Sequence, residues 1–342
     1  MAVVRTMSRG RGLVVAAVAV VVCAGAAVPA AAQGPTRAEP VSTVFIGDSY
    51  TANFGVAPVF GAWDPKEYFC FRSEENYPAV AARALAEEGT ALAVASDRSC
   101  GGALIEDFWT EQSLPGHRSK PPQQEALSDD TRLVVGSLGG NTLGFARILK
   151  QCSQELRVAG AGLPADAVDP EDPAERCAVF FTGGDGKDWL DRRFDVVEAE
   201  LEELFDRIGH LSPAASAVLV GYPRIVPADI VRCHTPAPGQ ADKPLADVPF
   251  AALPVFDRIQ ARLNDLMRAK AAEYDATFVD LYAVTGHNTA CDGDDRGIGG
   301  LFEQSQVDFF AQPLPWYLHP NTRGRDIQAQ HVATAIRQAL GG

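Results

Sequence analysis

Ser49 stands in Gly47-Asp48-Ser49-Tyr50, directly after the apolar run 41–46. The run reads as a buried strand and the serine as part of the turn that leaves it. A hydroxyl there projects over the carboxyl edge of a sheet, where open α/β folds place their ligands. A serine hydroxyl is a weak nucleophile and needs a base within hydrogen-bond reach. The histidines are His117, His210, His234, His287, His319 and His331. Among them His319 has the best context: Leu318-His319-Pro320-Asn321 is a loop after the last expected strand, fixed by Pro320, just before a closing helix. Alone, His319 would read as a helix cap or a surface residue. With Ser49 upstream and Asn141 between them, it reads as a general base.

A tetrahedral intermediate needs donors aimed at its oxyanion, and one such donor is worth ~3–4 kcal/mol of barrier. Gly101-Gly102, after Cys100, offers unhindered backbone N–H groups, and Asn141, after Gly139-Gly140, offers a side-chain N–H. Either segment is also ordinary turn chemistry. What gives them weight is that Ser49, Gly102 and Asn141 all follow expected strands and should converge. The GxSxG elbow of α/β-hydrolases is absent, since the chain reads Gly47-Asp48-Ser49-Tyr50-Thr51. Asp48 is expected to hydrogen-bond the loop backbone, and His287 to be structural.

These groups need a frame. Periodicity predicts strands over 41–46, 90–95, 132–138, 217–221 and 277–280. It predicts helices over 77–89, 143–151, 195–208, 254–274 and 322–340, with Val196, Leu201, Leu204, Phe205 and Ile208 on one stripe of the third. Segments 160–173, 234–249 and 285–315 read as loops. The last is long enough to be unusual unless functional or pinned. Strand and helix alternate, so the expected fold is a three-layer α/β/α domain with a central parallel sheet, over 41–342.

The first 32 residues read as an export signal. Arg5, Arg9 and Arg11 precede an uncharged stretch over 13–28, and Ala30-Ala31-Ala32 fits a cleavage site before Gln33. The stretch is shorter than the ~20 residues a spanning helix needs. Cys23 raises a lipoprotein reading, but Val22 precedes it where a small residue is needed. Residues 33–40 read as a flexible lead-in. Cleavage removes three arginines and no acids, moving the net charge from −14 to −17. Such acidity argues against nucleic-acid partners and against docking on anionic lipid. The expectation is a soluble, extracellular monomer with no stable membrane anchor. Six cysteines remain, Cys70, Cys100, Cys152, Cys177, Cys233 and Cys291, and an even count in an exported chain reads as disulfides, whose pairing stays open. They form no CxxC zinc pattern.

The chain resembles the GDSL, or SGNH, hydrolases, and within them the secreted actinomycete lipase and esterase branch. Four blocks in order carry the likeness: Ser49 in its GDS, Gly102 in Ser99-Cys100-Gly101-Gly102-Ala103, Asn141 after two glycines, and His319. Gly221-Tyr222-Pro223-Arg224, Gly286-His287…Cys291 and His319-Pro320-Asn321…Gly324 extend it. The resemblance implies a flavodoxin-like fold and an acyl-enzyme mechanism with no cofactor and no metal. The oxyanion would lie among the Ser49 and Gly102 N–H groups and the Asn141 side chain. It also implies the pairs Cys70–Cys100, Cys152–Cys177 and Cys233–Cys291, each worth ~2–4 kcal/mol.

One departure matters. The family's usual acid lies three residues before the histidine, and here that residue is Trp316. The branch resemblance implies a Ser–His dyad in which the Trp316 backbone carbonyl orients the imidazole. A carbonyl accepts from Nδ1–H and so fixes the tautomer. The rival is an acid from elsewhere, Asp280 or Asp308. Two further features have double readings. The aromatics Phe54, Phe60, Trp63, Tyr68, Phe69, Phe71, Phe309, Phe310, Trp316 and Tyr317 either line an acyl groove or pack the long loops. Asp292, Asp294, Gly297 and Glu303 match parts of a calcium loop, but Arg296 and Gly299 break the ligand pattern, so a solvated acidic loop is expected. The sequence thus points to a serine-dependent carboxylic ester hydrolase acting on acyl esters of lipids. An acyltransferase or a carbohydrate acetyl esterase is the alternative on the same site, and a non-catalytic binder of envelope lipid or glycan the alternative in another class.

Overall fold

Residues 39–158, 172–234 and 243–341 are described by a computed structural model. The expected export signal, most of the lead-in, residues 160–171 of the 160–173 loop and residues 235–242 of the 234–249 loop lie outside the described residues.

Five parallel strands form the central sheet: β1 (Val41–Gly47), β2 (Leu92–Asp97), β3 (Leu133–Ser137), β4 (Ser216–Val220) and β5 (Thr277–Val279), in the order β2-β1-β3-β4-β5. Side chains alternate between its faces, as the pleat requires. Val44, Ile46, Val134 and Leu219 enter one core; Phe45, Leu133, Val135, Val218 and Val220 enter the other. Helices α2 (Gly184–Leu211) and α3 (Leu253–Glu273) cover the first face; α1 (Tyr77–Glu87) and α4 (Thr322–Gly341) cover the second. Burial on both faces explains the near-continuous apolar runs of β1, β3 and β4. The expected three-layer α/β/α fold is the observed one.

Three details differ from the sequence expectation. The second strand runs two residues further toward the C-terminus and lies on the sheet edge, where Ala93, Val94 and Ala95 are exposed. Helix α2 begins far earlier than 195, because Leu190 and Phe194 continue its buried stripe, and Val197 rather than Val196 holds the buried position. The 285–315 loop contains an antiparallel ribbon, Gln304–Phe309 with Gln312–Pro315. That ribbon hides behind polar letters: Ser305 and Val307 are buried while Gln304, Gln306 and Asp308 are exposed, a period of two without an apolar signature.

Strand order places a switch point between β1 and β3, since the chain moves outward to β2 on one side and to β4 and β5 on the other. Open sheets gather their ligands there.

Candidate active site

Ser49 begins a one-turn helix, Ser49–Ala52, at the carboxyl end of β1. Its position relative to β3 is set by pairing of Gly47 with Ser137 and by the Asp48 N–H, which donates to the Ser137 carbonyl at 3.0 Å. Asp48 accepts from the Tyr50 N–H at 2.8 Å and from the Tyr222 hydroxyl at 2.5 Å. Tyr222 in turn accepts from the Gly140 N–H at 2.8 Å. A buried relay therefore joins the serine turn to the segment that carries Asn141. Burial raises the Asp48 carboxyl to about 7, against the lowering effect of the Tyr222 and Tyr50 hydrogen bonds. Besides the backbone contact expected for Asp48, the relay adds Tyr222, which sequence reasoning left as a motif letter.

The three expected oxyanion donors are the Ser49 and Gly102 backbone N–H groups and the Asn141 side chain, on segments that follow β1, β2 and β3. Among the described residues, no hydrogen bond engages the Ser49 or Gly102 backbone N–H. Gly102 lies at φ 79°, a left-handed conformation that L side chains rarely adopt. Its neighbours are pinned: the Gly101 N–H donates to the Cys70 carbonyl at 2.8 Å, and the Cys70–Cys100 disulfide ties the same two segments. Asn141, in the short helix Gly140–Leu143, donates one Nδ2 hydrogen to the Ala103 carbonyl at 3.0 Å, which orients the amide and leaves the other hydrogen free. Donors without a protein partner on these segments are of the kind an oxyanion site requires.

His319 comes from the opposite end of the chain. Its Nε2 lies 2.8 Å from Ser49 Oγ. Its Nδ1 lies 2.8 Å from the Trp316 carbonyl and 3.1 Å from that of Tyr317. Carbonyls only accept, so Nδ1 carries the proton and Nε2 turns its lone pair toward the serine. No carboxylate is needed for that tautomer. Asp280 instead caps a helical turn at the Ala283 N–H (3.0 Å) and pairs with Arg268 at 2.6 Å. Asp308 lies on the ribbon, its backbone carbonyl accepting from the Tyr68 hydroxyl at 3.0 Å. Burial lowers His319 to about 4, opposed by the two carbonyls. The imidazole is thus neutral at ordinary pH, the form a general base requires.

A tight turn holds the Trp316 carbonyl. Tyr317 and Leu318 have φ 49° and 62°, and the His319 N–H donates back to the Trp316 carbonyl at 3.0 Å. Two consecutive left-handed non-glycine residues cost roughly 1 kcal/mol or more each. The surroundings enforce them. The Tyr50 hydroxyl donates to the Leu318 carbonyl at 2.9 Å, the Gly299 N–H to the His319 carbonyl at 3.0 Å, and the Asn321 N–H to the Gly297 carbonyl at 2.9 Å. The buried Trp316 ring lies so close to Gly55 and Gly299 that a Cβ on either would sit 2.6 or 2.1 Å from it.

The structure separates the candidate aromatics. Phe54 and Tyr50 rings lie 4.7 and 4.9 Å from the His319 ring, and Phe71 lies against Phe54 at 5.3 Å. Trp316 packs the loop, whereas Phe60, Trp63 and Phe310 face solvent. The remaining pairs, Cys152–Cys177 and Cys233–Cys291, are joined as well, the second pinning the 285–315 segment. In the acidic loop Glu303 is committed to Arg296 and to the Gly300 N–H at 2.8 Å. His117, His210, His234 and His287 are exposed, and none of them contacts Ser49.

An α/β/α sheet carrying a serine after its first strand and a histidine before its last helix defines an SGNH-type hydrolase. A profile of the GDSL-like lipase/acylhydrolase family matches residues 45–327, and the chain belongs to that family. It is 59% identical to an esterase of Streptomyces scabiei over 331 residues, 96% of this chain and 95% of that one. Over 315 residues, 88% of each chain, it is 32% identical to Lipase 2 of Streptomyces coelicolor. The crystal structure of phospholipase A1 from Streptomyces albidoflavus NA297 shares the fold at a TM-score of 0.57 and 18% identity, covering 88% of this chain and 99% of that one. The protein is an enzyme, a carboxylic ester hydrolase, and its substrate is a small-molecule ester.

Proposed function

We propose that the chain is a secreted esterase or lipase that cleaves acyl esters of lipids through a Ser49–His319 dyad. Ser49 Oγ attacks the ester carbonyl as His319 Nε2 takes its proton. The oxyanion is held by the N–H groups of Ser49 and Gly102 and by Asn141 Nδ2. As the intermediate collapses, the imidazolium returns the proton to the leaving alcohol. Water, deprotonated by the same nitrogen, then cleaves the acyl-enzyme and restores Ser49. The Trp316 carbonyl orients the ring, and its dipole stabilises the imidazolium less than the carboxylate of a triad does.

The observation that carries this reading is the 2.8 Å contact between Ser49 Oγ and His319 Nε2, with Nδ1 held by a carbonyl. Phe54 and Phe71 beside the dyad offer an apolar wall for an acyl chain. The names of the curated relatives, esterase and lipase, fit that substrate class. Secretion is supported by the leader-like first 32 residues and by three disulfides. The enzyme acts as a monomer, with no stable anchor and no cofactor.

The test is hydrolysis of p-nitrophenyl esters from acetate to palmitate, with Ser49→Ala as control. Ser49-dependent turnover and labelling of Ser49 by a fluorophosphonate are expected, and the chain-length optimum sorts esterase from lipase. A folded, oxidised protein that neither turns over nor labels would return the chain to the class of lipid or glycan binders.

A further inference from the structure

The ribbon Gln304–Phe309/Gln312–Pro315 turns through Phe310 and Ala311, with φ 49° and 60°. Pairing of Phe309 with Gln312 makes those two residues the whole loop. Hairpin loops of this kind favour Asn-Gly, because a Cβ crowds the backbone in the left-handed region. Here the first position is a phenylalanine that is 75% exposed. A strained backbone and a bare ring both disfavour the protein alone in water. Such a residue earns its place when a partner covers it.

Rings connect this tip to the dyad. Phe310 lies 4.4 Å from Phe309, Phe309 lies 5.6 Å from Phe71, Phe71 lies 5.3 Å from Phe54, and Phe54 lies 4.7 Å from His319, centroid to centroid. Tyr68 stacks on Phe309, and its hydroxyl donates to the Asp308 carbonyl at 3.0 Å, tying the ribbon to the short helix Pro65–Tyr68. The segment leading into that helix carries Trp63, which is 99% exposed. Both bare rings thus stand on segments anchored to one aromatic cluster that ends at the candidate base.

Charge narrows the partner. At a net −14, or −17 without its first 32 residues, the chain is repelled by anionic lipid. Around the cluster, Lys66, Arg72, Arg118 and Lys120 are balanced by Asp64, Glu67, Asp97 and Asp308, with Lys120 and Arg72 paired to Glu67 and Arg72 also to Asp97, so the tip carries no net positive charge. Aromatic rings favour the boundary between apolar and aqueous phases. We infer that Phe310 and Trp63 form a docking tip that seats the enzyme on the surface of aggregated, uncharged acyl esters, such as an emulsion droplet. This rests on the reading of Ser49 and His319 as an ester-cleaving site.

The test uses the full chain with tributyrin below and above its solubility limit, and with p-nitrophenyl acetate as a soluble ester. Phe310→Asn combined with Ala311→Gly supplies the turn with its favoured pair, so it keeps the fold and raises Tm by about 2 °C. That variant, and Trp63→Ser, are expected to lose about tenfold in rate on the emulsion, the scale set by one ring left unburied. Their rate on p-nitrophenyl acetate is expected to stay within about twofold, because neither residue touches Ser49 or His319. Equal losses in both regimes, or no loss in either, would overturn the docking role. Flotation of Ser49→Ala protein with tributyrin droplets reads docking without turnover: it should float, and the turn variant should not. Failure to float, or retention only on insoluble polysaccharide, would also overturn the inference. Absent p-nitrophenyl acetate turnover with intact flotation would instead sink the reading of the dyad.

Discussion

Ser49 and Asn141 stand on the ends of adjacent strands whose register pairs Gly47 with Ser137, whereas His319 stands on an irregular loop before α4. The first pair is held by hydrogen bonds of the sheet and by the buried Asp48–Tyr222–Gly140 relay. His319 is held by a left-handed turn at Tyr317 and Leu318, by backbone contacts to Gly297 and Gly299, and by the close seat of Trp316. Regular structure thus positions Ser49, and enforced strain positions His319. The difference predicts different sensitivities. The strand-end side should lose catalysis when a donor is removed. The histidine side should lose it when packing moves a carbonyl that no side-chain deletion can reach.

The largest expected effect on the strand-end side is that of Asn141→Ala, which removes one of the proposed oxyanion donors. A fall of about 10²–10³ in kcat with KM nearly unchanged is expected from steady-state kinetics on a soluble ester. On the other side, Gly299→Ala places a Cβ 2.1 Å from the Trp316 ring and must shift the loop. A fall of about 10–100-fold in kcat is expected, because a displacement of about 1 Å misaligns the imidazole. If Gly299→Ala keeps full activity, packing does not set the histidine.

Tyr222→Phe sharpens the contrast differently. It strands the Gly140 N–H and removes a donor from Asp48, so urea unfolding should show about 1–3 kcal/mol of lost stability, with a change in kcat much smaller than that of Asn141→Ala. A loss in kcat as large as that of Asn141→Ala would mean the relay acts in catalysis.

The smallest expected effects lie in pH. With His319 lowered to about 4, kcat/KM should rise with pH through about 4 rather than through the ordinary 6.5. Linkage gives the sign for stability. Between about 4 and 6.5 the unfolded histidine binds a proton that the native one does not, so His319 makes stability fall as pH drops. Asp48, raised from 3.8 to about 7, holds a proton when folded that it loses when unfolded, so its contribution falls as pH rises across that window. The two slopes oppose each other. Asp48→Asn should expose the histidine slope in urea midpoints measured between pH 4 and 7.

The same division explains what could be read from the sequence. The serine turn, the strands and the alternation with helices were legible because both faces of the sheet are buried and the runs are apolar. The place of Asn141 just after the next strand was legible from the two glycines before it. The Trp316 carbonyl was not: a backbone acceptor has no letter of its own, and only the family resemblance pointed to it. Tyr222 was visible as a motif letter, but its bond to Asp48 spans 174 positions and has no periodic signature. The ribbon was lost because its buried positions include Ser305 and its turn is Phe310-Ala311 instead of Asn-Gly. Strain imposed from elsewhere in the fold leaves no local trace.

The measurement that bears most directly on a carbonyl-supported dyad is kcat/KM for a soluble p-nitrophenyl ester in the double variant Asp280→Asn with Asp308→Asn, beside the native enzyme. Neither carboxylate hydrogen-bonds His319 Nδ1, which lies 2.8 Å from the Trp316 carbonyl. The expected result is a value within about threefold of native, since neither carboxylate contacts the imidazole. A loss of several orders of magnitude in a folded protein would contradict the dyad and give His319 a carboxylate partner.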